Sequence, residues 1–169
     1  TTLPLVPQVA DAVDVPVIAA GGIADGRGLV AALALGAAGV QMGTAFICAA
    51  ETNIHSAYKD LVLKASDSDT VVTGRGSGHP VRCLKNRFTK KLLGMEKRDA
   101  SPEEFEELTL GSYGKALRDG NMEEGTFMAG QSAGLVKEIL PAAVILENTA
   151  AQAEDLLKNF TAKRGITIV

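Results

Sequence analysis

Cysteine and histidine are scarce in this sequence. Its two cysteines, Cys48 and Cys83, stand far apart, and its two histidines, His55 and His79, belong to no cluster with ligand spacing. A zinc or other transition-metal site needs several such residues close together, so the sequence predicts no metal centre. Unclustered cysteines also favour a reducing compartment, and we expect a cytoplasmic location.

Excess positive charge and long apolar runs are missing as well. The 169 residues carry a net charge of −3, which gives no broad basic field for nucleic acid or an anionic membrane. No apolar run approaches the roughly 20 residues that a membrane-spanning helix needs. The composition, 46% hydrophobic and 22% charged, is that of a globular domain with a core. An acidic ligand would therefore have to be bound by a local arrangement of donors.

Two short apolar runs that stop at glycine stand out in what is present. Residues 16–20 run into Gly21-Gly22, and residues 39–42 run into Gly43-Thr44. An amphipathic helical pattern lies between them. The sequence therefore predicts strand, loop, helix, strand and loop, which is the βαβ unit of parallel sheets.

Glycines at two neighbouring strand ends predict a phosphate site. Parallel strands end at the same edge of a sheet, and glycine, having no Cβ, lets ligand oxygens approach main-chain N–H groups. A helix N-terminus after the loop would add partial positive charge. A purely structural turn is the alternative for Gly21-Gly22 taken alone, but the second loop favours a ligand.

Two fold classes combine βαβ units with phosphate sites. The dinucleotide-binding fold carries G-x-G-x-x-G in one loop, whereas (β/α)8 barrels frequently hold a phosphate with the loops after their last two strands. This sequence has two loops, one glycine pair and no such fingerprint, with Asp25 and Gly36 placed to cap and to end the intervening helix. The predicted fold class is α/β: the C-terminal part of a TIM (β/α)8 barrel, its last two strands and helices, with a mostly helical cap subdomain.

The residues before the first strand predict a helix with one buried face and Thr2 as its cap. A sheet of only two strands cannot cover that face of the helix. Parallel sheets normally have both faces covered by helices, so further strands are expected. We therefore expect the chain to be the C-terminal part of a larger protein whose earlier strands lie elsewhere. The face consists of Leu5, Val6, Val9, Ala10 and Val13.

The glycine loops and several later motifs resemble the FMN-dependent barrel enzymes that comprise the flavin-type enoyl-acyl-carrier-protein reductases and the nitronate monooxygenases. The order and spacing of the later motifs are similar to the reductase branch over nearly the whole chain. These motifs are Glu51-Thr52-Asn53, Tyr58-Lys59, Lys64-Ala65, Asp69-Thr70, Gly78-His79-Pro80-Val81-Arg82, Lys85-Asn86 and residues 128–134.

The resemblance implies an FMN site and assigns residues to it. The first FMN-phosphate loop matches Gly21 and Gly22, the second matches Gly43 and Thr44, and a later turn approaches the flavin. The family's catalytic histidine lies upstream and has no counterpart here, so no catalytic residue is expected in this chain and the chain alone should not catalyse. The cofactor-binding residues so implied are Ala20, Gly21, Gly22, Gly43, Thr44, Met128, Gly130 and Gln131.

The resemblance also implies an activity. The expected reaction is reduction of the 2,3 double bond of an enoyl thioester on acyl carrier protein, in fatty acid biosynthesis, with NADH or NADPH as electron donor and FMN as carrier. The expected partners are that carrier-bound substrate and the missing N-terminal part of the barrel, and a homodimer is left open. One alternative is a nitronate monooxygenase that oxidises alkyl nitronates with O2. Another is an inactive fragment or module that binds phosphate.

The sequence divides into three parts. Residues 1–52 form a barrel segment with the FMN-phosphate loops, residues 53–125 a mostly helical cap or insertion, and residues 126–169 C-terminal helices that return to the barrel. A capping box at Ser101 and Glu104 begins one helix of the cap. The apolar stripe expected on the last helix consists of Leu146, Ala150, Ala153, Leu157 and Phe160.

Three further features have both a functional and a structural interpretation. Ser132 lies in a G-x-S-x-G pattern, but no histidine follows it, which argues against a nucleophile. Cys83 beside Arg82 could have a lowered pKa, although packing is the better interpretation. A basic stretch is either a solvated helix face or a local patch for an acidic carrier or a nucleotide phosphate. That stretch is Arg82, Lys85, Arg87, Lys90 and Lys91.

Overall fold

The computed structural model describes the main chain of residues 1–164 and the side chains of residues 1–160. Over that range it is a mixed α/β chain of helices and four short strands. In chain order the elements are α1 (Thr2–Ala12), β1 (Ile18–Ala20), α2 (Gly26–Ala34), β2 (Gly39–Gln41), α3 (Thr44–Ile47), α4 (Ser56–Lys64), β3 (Thr70–Thr73), β4 (Val81–Leu84), α5 (Arg87–Lys97), α6 (Pro102–Thr109), α7 (Ser112–Asp119), a 3₁₀ helix (Gln131–Leu135) and α8 (Ala142–Arg164).

The two glycine-ended runs form the βαβ unit that the sequence predicts. β1 and β2 pair in parallel, with Ile18 opposite Gly39 and Ala20 opposite Gln41. The helix α2 connects them and packs with β2 around a small core that includes Ala32. Both strands therefore end at the same edge of the sheet.

Asp25 and Gly36 begin and end α2, as predicted. The Asp25 carboxylate accepts hydrogen bonds from the N–H groups of Arg27 (2.9 Å) and Gly28 (3.4 Å), and Gly36 has a φ of +93° beyond the last turn. Partial burial raises the pKa of Asp25, but the hydrogen bonds and charge of Arg27 outweigh it, so the pKa is lowered. The contribution of this cap to stability is present above the ordinary carboxyl pKa and is lost as the pH falls through the lowered value.

The first helix departs from its predicted packing. Of the predicted face only Val6 is buried, whereas Leu5 is 57% and Val13 42% exposed, because no described element packs on that side. Thr2 is also not the cap: the helix begins at it, and its hydroxyl donates to the carbonyl of Gly21 at 2.9 Å. The helix is thus tied to the first glycine loop.

The last helix packs along α2 through small residues. Ala153 is buried there, and a methyl group on Gly26 would lie 2.5 Å from the Ala153 nitrogen. The predicted stripe is therefore wrong except at Ala153, since Leu146 is 56% and Leu157 61% exposed. Residues 165–169 of the predicted C-terminal part lie outside the described residues.

Residues 53–125 contain four helices and an antiparallel hairpin. β3 and β4 pair from Thr70 opposite Leu84 to Thr73 opposite Val81, a feature that the sequence did not indicate. The predicted capping box of α6 is present: the Ser101 hydroxyl accepts from the Glu104 N–H, and the Glu104 carboxylate accepts from the Ser101 N–H. A core of Phe88, Leu92, Met95 and Phe105 joins α5 to α6.

Both cysteines are buried free thiols, which confirms the packing interpretation of Cys83. Burial raises the pKa of Cys48, and it raises the pKa of Cys83 to about 11. The alternative of a lowered pKa at Cys83 is wrong, because the dominant effect there is desolvation of the thiolate.

We expect both thiols to react slowly with Ellman's reagent in the folded protein at pH 8. The thiolate is the reacting species, and a raised pKa keeps Cys48 and Cys83 protonated as well as shielded. Denaturation should release both for fast reaction, and absorbance at the nitrothiobenzoate band measures each rate. Fast labelling of one thiol in the folded state would contradict the burial of that residue.

None of the helices within residues 1–164 is long and apolar enough to cross a membrane. The described residues also include no group of three or more His, Cys, Asp or Glu side chains placed to hold a metal ion.

Candidate functional site

The two predicted phosphate loops lie at one edge of the sheet. Because Ala20 is paired with Gln41, Gly22 and Gly43 each follow a paired position by two residues. Gly22 has a φ of +78°, a left-handed conformation that most other residues adopt only at a cost. The first loop thus turns sharply at the tip of its strand, beside the second loop.

The main chain at both strand tips is available to a ligand. Among the described residues, no protein acceptor takes a hydrogen bond from the N–H groups of Gly22, Gly43 or Thr44. A methyl group at Gly22 or Gly43 would have no neighbour within 4 Å, so open space faces both glycines. Free donors beside open space are what a phosphate cradle requires.

The N-terminus of α2 does not contribute to this cradle as the sequence suggested. Its first N–H groups are already bonded to the carboxylate of Asp25, and the Gly26 N–H donates to Gln152 Oε1 at 2.7 Å. A negative carboxylate at the helix start also offsets the partial positive charge of the helix end. Anion binding here therefore depends on the loop amides.

A third segment joins the second loop. The N–H of Gly130 donates to Thr44 Oγ1 at 3.0 Å, which still leaves the Thr44 hydroxyl proton free to donate to a ligand. Residues 127–129 run antiparallel to β4, because the Leu84 N–H bonds the Phe127 carbonyl (2.8 Å) and the Ala129 N–H bonds the Arg82 carbonyl (3.2 Å). This pairing places residues 128–130 beside the strand tips.

Together these segments border an open cleft of about 380 Å³. It brings together four of the predicted residues, Gly43, Thr44, Met128 and Gly130. Ala20, Gly21 and Gly22 lie at the neighbouring strand tip and do not line it, and the exposed Gln131 follows Gly130. The other residues of the lining are Ile47, Ile54, Tyr58, Arg82, Tyr113 and Ala129.

None of these six residues was predicted as a site residue, and three of them, Arg82, Tyr58 and Tyr113, carry polar or charged groups. Arg82 brings a cation into the cleft, and its Nη1 lies 2.9 Å from Thr70 Oγ1. Burial raises the pKa of Tyr58, so the phenol stays protonated and donates to the Met128 carbonyl at 2.5 Å. Tyr113 closes one side. The hairpin and the β4 pairing bring these residues together, and no local sequence pattern encodes such long-range pairing.

The other candidates are placed differently. Ser132 is buried in the 3₁₀ helix with no strand before it, so the hydrolase pattern lacks its structural context. His55 accepts from the Ala57 N–H at 3.1 Å and thereby caps α4, while His79 lies exposed in the hairpin loop. Within the basic stretch, exposed Arg87 forms an ion pair with Glu123 at 3.1 Å.

Comparison with known proteins gives consistent likenesses. A family model described as nitronate monooxygenase matches residues 1–151. A probable nitronate monooxygenase of Staphylococcus saprophyticus is 38% identical over 156 residues, which are 92% of this chain and 44% of that protein. One of Staphylococcus aureus, strain JH9, is 38% identical over 157 residues, 93% of this chain and 44% of that protein. The chain thus spans less than half the length of these curated relatives.

Solved structures show the same relationship. FabK from Thermotoga maritima matches with a TM-score of 0.92 and 46% identity, over 96% of this chain and 52% of that one. A nitroalkane oxidase from Streptomyces ansochromogenes matches with a TM-score of 0.77 and 32% identity, over 94% of this chain and 45% of that one. These matches confirm the predicted fold class, a mixed α/β chain corresponding to part of a TIM-barrel enzyme.

Proposed function

The chain belongs to the nitronate monooxygenase family of flavin oxidoreductases, and from that premise we propose that it forms part of an FMN-dependent enoyl-acyl-carrier-protein reductase. The observation that carries the flavin assignment is the pair of strand tips with free N–H groups and open space at Gly22 and Gly43. The 46% identity to FabK supports the reductase branch.

The residues present suit the phosphate of FMN. The N–H groups of Gly22, Gly43 and Thr44 would donate to its oxygens, and the Thr44 hydroxyl can add a further hydrogen bond. Arg82 places positive charge in the adjoining cleft. When bound, FMN would supply hydride transfer between NADH or NADPH and the β-carbon of the enoyl thioester.

Other side chains of the cleft position and shield this site. Tyr58 holds the Met128 carbonyl and packs edge-on against Phe127, with ring centroids 4.9 Å apart, so the segment beside the cleft has a fixed place. Ile47 and Ile54 add apolar wall to the cleft.

Nitronate oxidation is the second candidate, favoured by the curated relatives at 38% identity and the nitroalkane oxidase at 32%. The two activities differ in what reoxidises the reduced flavin. After anaerobic reduction with NADH or NADPH, reoxidation by a crotonyl thioester would support the reductase. Reduction of the oxidised flavin by an alkyl nitronate, with reoxidation by oxygen and none by the thioester, would support the monooxygenase and overturn the proposal.

We further propose that part of the basic stretch meets the acidic carrier protein. Lys85, Arg87 and Lys90 are all exposed. Changing the three to glutamate should raise the Michaelis constant for carrier-bound substrate about tenfold at low salt, with a smaller effect at high salt. Steady-state kinetics at two ionic strengths measure this change.

Two controls isolate the charge effect. A pantetheine thioester lacks the carrier protein, so its Michaelis constant should not change in the triple variant. Lys64→Glu alters another exposed lysine at the end of α4 and should leave both substrates unaffected. An unchanged constant for the carrier-bound substrate in the triple variant would exclude the patch.

A further inference from the structure

A second cavity lies beside the cleft. It has a volume of about 390 Å³ and is enclosed by the β3–β4 hairpin and the helices α5 to α7. This size falls within the ~300–1,000 Å³ typical of small-molecule sites. Val81, Leu92 and Phe105 contribute apolar wall, while the polar His79 and Glu106 are exposed.

Several hydroxyl groups in the wall of this cavity are already paired. The hydroxyls of Ser112 and Thr126 lie 2.7 Å apart, and the Thr109 hydroxyl donates to the Phe105 carbonyl at 2.8 Å. Among the described residues no buried side-chain nitrogen or oxygen lacks a partner. The buried part of the wall therefore presents no unpaired polar side chain, and apolar atoms suit it best.

The cavity adjoins the predicted flavin cleft. Tyr113 and Met128 line both spaces, which places the two next to each other. A ligand that spans them has a reacting part near Gly43 and Gly130 and an apolar part near Val81. A long-chain enoyl thioester has that division, with a polar conjugated end and an apolar tail.

We propose that this cavity holds the acyl chain of the enoyl substrate, beyond its double bond; the assignment rests on the function proposed above. A nicotinamide dinucleotide fits the cavity less well, because its diphosphate needs donors whereas the hydroxyls of Ser112, Thr126 and Thr109 already have protein partners. The carboxylate of Glu106 on the lining would also repel a phosphate. The cavity thus sets a preference for longer acyl chains.

Filling the cavity provides the test. Val81→Phe enlarges a half-buried side chain of the lining, and Val72→Phe makes the same change on the same hairpin but outside the lining. The probes are butyryl-pantetheine and decanoyl-pantetheine, saturated thioesters whose binding to the flavin-loaded enzyme is measured by calorimetry without turnover. Thr109→Leu is a second lining variant in case Val81→Phe fails to fold.

The cavity assignment predicts a chain-length-dependent loss. Val81→Phe should raise the dissociation constant of decanoyl-pantetheine about tenfold or more, which corresponds to about 1.4 kcal/mol. The dissociation constant of butyryl-pantetheine should change by no more than roughly twofold. Val72→Phe should bind both probes as the wild type does. Equal losses for both probes in the lining variants, or no loss for decanoyl-pantetheine, would overturn the assignment.

A turnover assay distinguishes a failure of the cavity assignment from a failure of the proposed function on which it rests. Wild-type enzyme should reduce both crotonyl-pantetheine and 2-decenoyl-pantetheine with NADH or NADPH. Reduction of neither thioester would overturn the proposed function itself. Reduction of both, combined with equal losses for short and long chains in Val81→Phe, would overturn the cavity assignment alone.

Discussion

Gly43→Glu is expected to abolish FMN binding while the fold stays intact. Gly43 has a φ of −97°, which any residue can adopt, and a Cβ atom added there would meet no protein atom within 4 Å. The new carboxylate would enter the space assigned to the phosphate. Two like charges about 4 Å apart near a protein surface repel by about 4 kcal/mol, so the FMN dissociation constant should rise about 100-fold or more.

Gly94→Glu is the matched control for that variant. Gly94 is also exposed with open space around its Cα, but it lies on α5, away from both loops. The purified control should retain its flavin absorption, and Gly43→Glu should lose it, with identical circular dichroism spectra for both proteins. Full flavin retention in folded Gly43→Glu would show that the second loop does not bind the flavin.

Gly26→Ala should destabilise the fold by about 3 kcal/mol, because the new methyl group overpacks the contact between α2 and α8. That methyl group would lie 2.5 Å from the Ala153 nitrogen and 2.6 Å from the Thr149 carbonyl oxygen, both main-chain atoms. The helices would have to separate, which would also break the bond from Gly26 to Gln152. In thermal unfolding, the midpoint should fall by about 6–12 °C.

The same change at Gly94 serves as the control. It places a methyl group in open space within an exposed helix, where alanine should stabilise by roughly 0.5–1 kcal/mol relative to glycine. Gly26→Ala and Gly94→Ala should therefore shift the unfolding midpoint in opposite directions. A Gly26→Ala protein as stable as the wild type would mean that α2 and α8 do not pack closely.

Local sequence patterns predicted the parts of the fold that local interactions determine. Asp25 is an N-cap because its short carboxylate reaches the next N–H groups, and Ser101 with Glu104 forms a capping box for the same reason. Gly36 ends α2 because its left-handed φ is accessible to glycine. The parallel pairing of β1 with β2 followed from the apolar runs and the helix between them.

Such local patterns could not predict contacts between residues that lie far apart in the sequence. The cleft exists because residues 127–129 pair with β4, which places Met128 and Gly130 beside Thr44 across more than eighty residues. The apolar stripe predicted on α8 was wrong because α8 approaches Gly26 closely and packs there through the small Ala153. The larger apolar residues of the stripe therefore lie on the exposed side. The face predicted on α1 was wrong for a related reason, since only Val6 of that face is buried within the described chain.

The central claim is that the glycine-edged strand tips bind the phosphate of FMN. Its most direct test compares the dissociation constants of FMN and riboflavin for the flavin-free enzyme, measured by quenching of flavin fluorescence. Riboflavin lacks only the phosphate, and charge-assisted hydrogen bonds contribute about 1.5–3 kcal/mol each. We expect FMN to bind about 100-fold or more tightly than riboflavin, and Gly43→Glu to remove that advantage. Equal dissociation constants for the two flavins in the wild type would contradict a phosphate site at Gly22, Gly43 and Thr44.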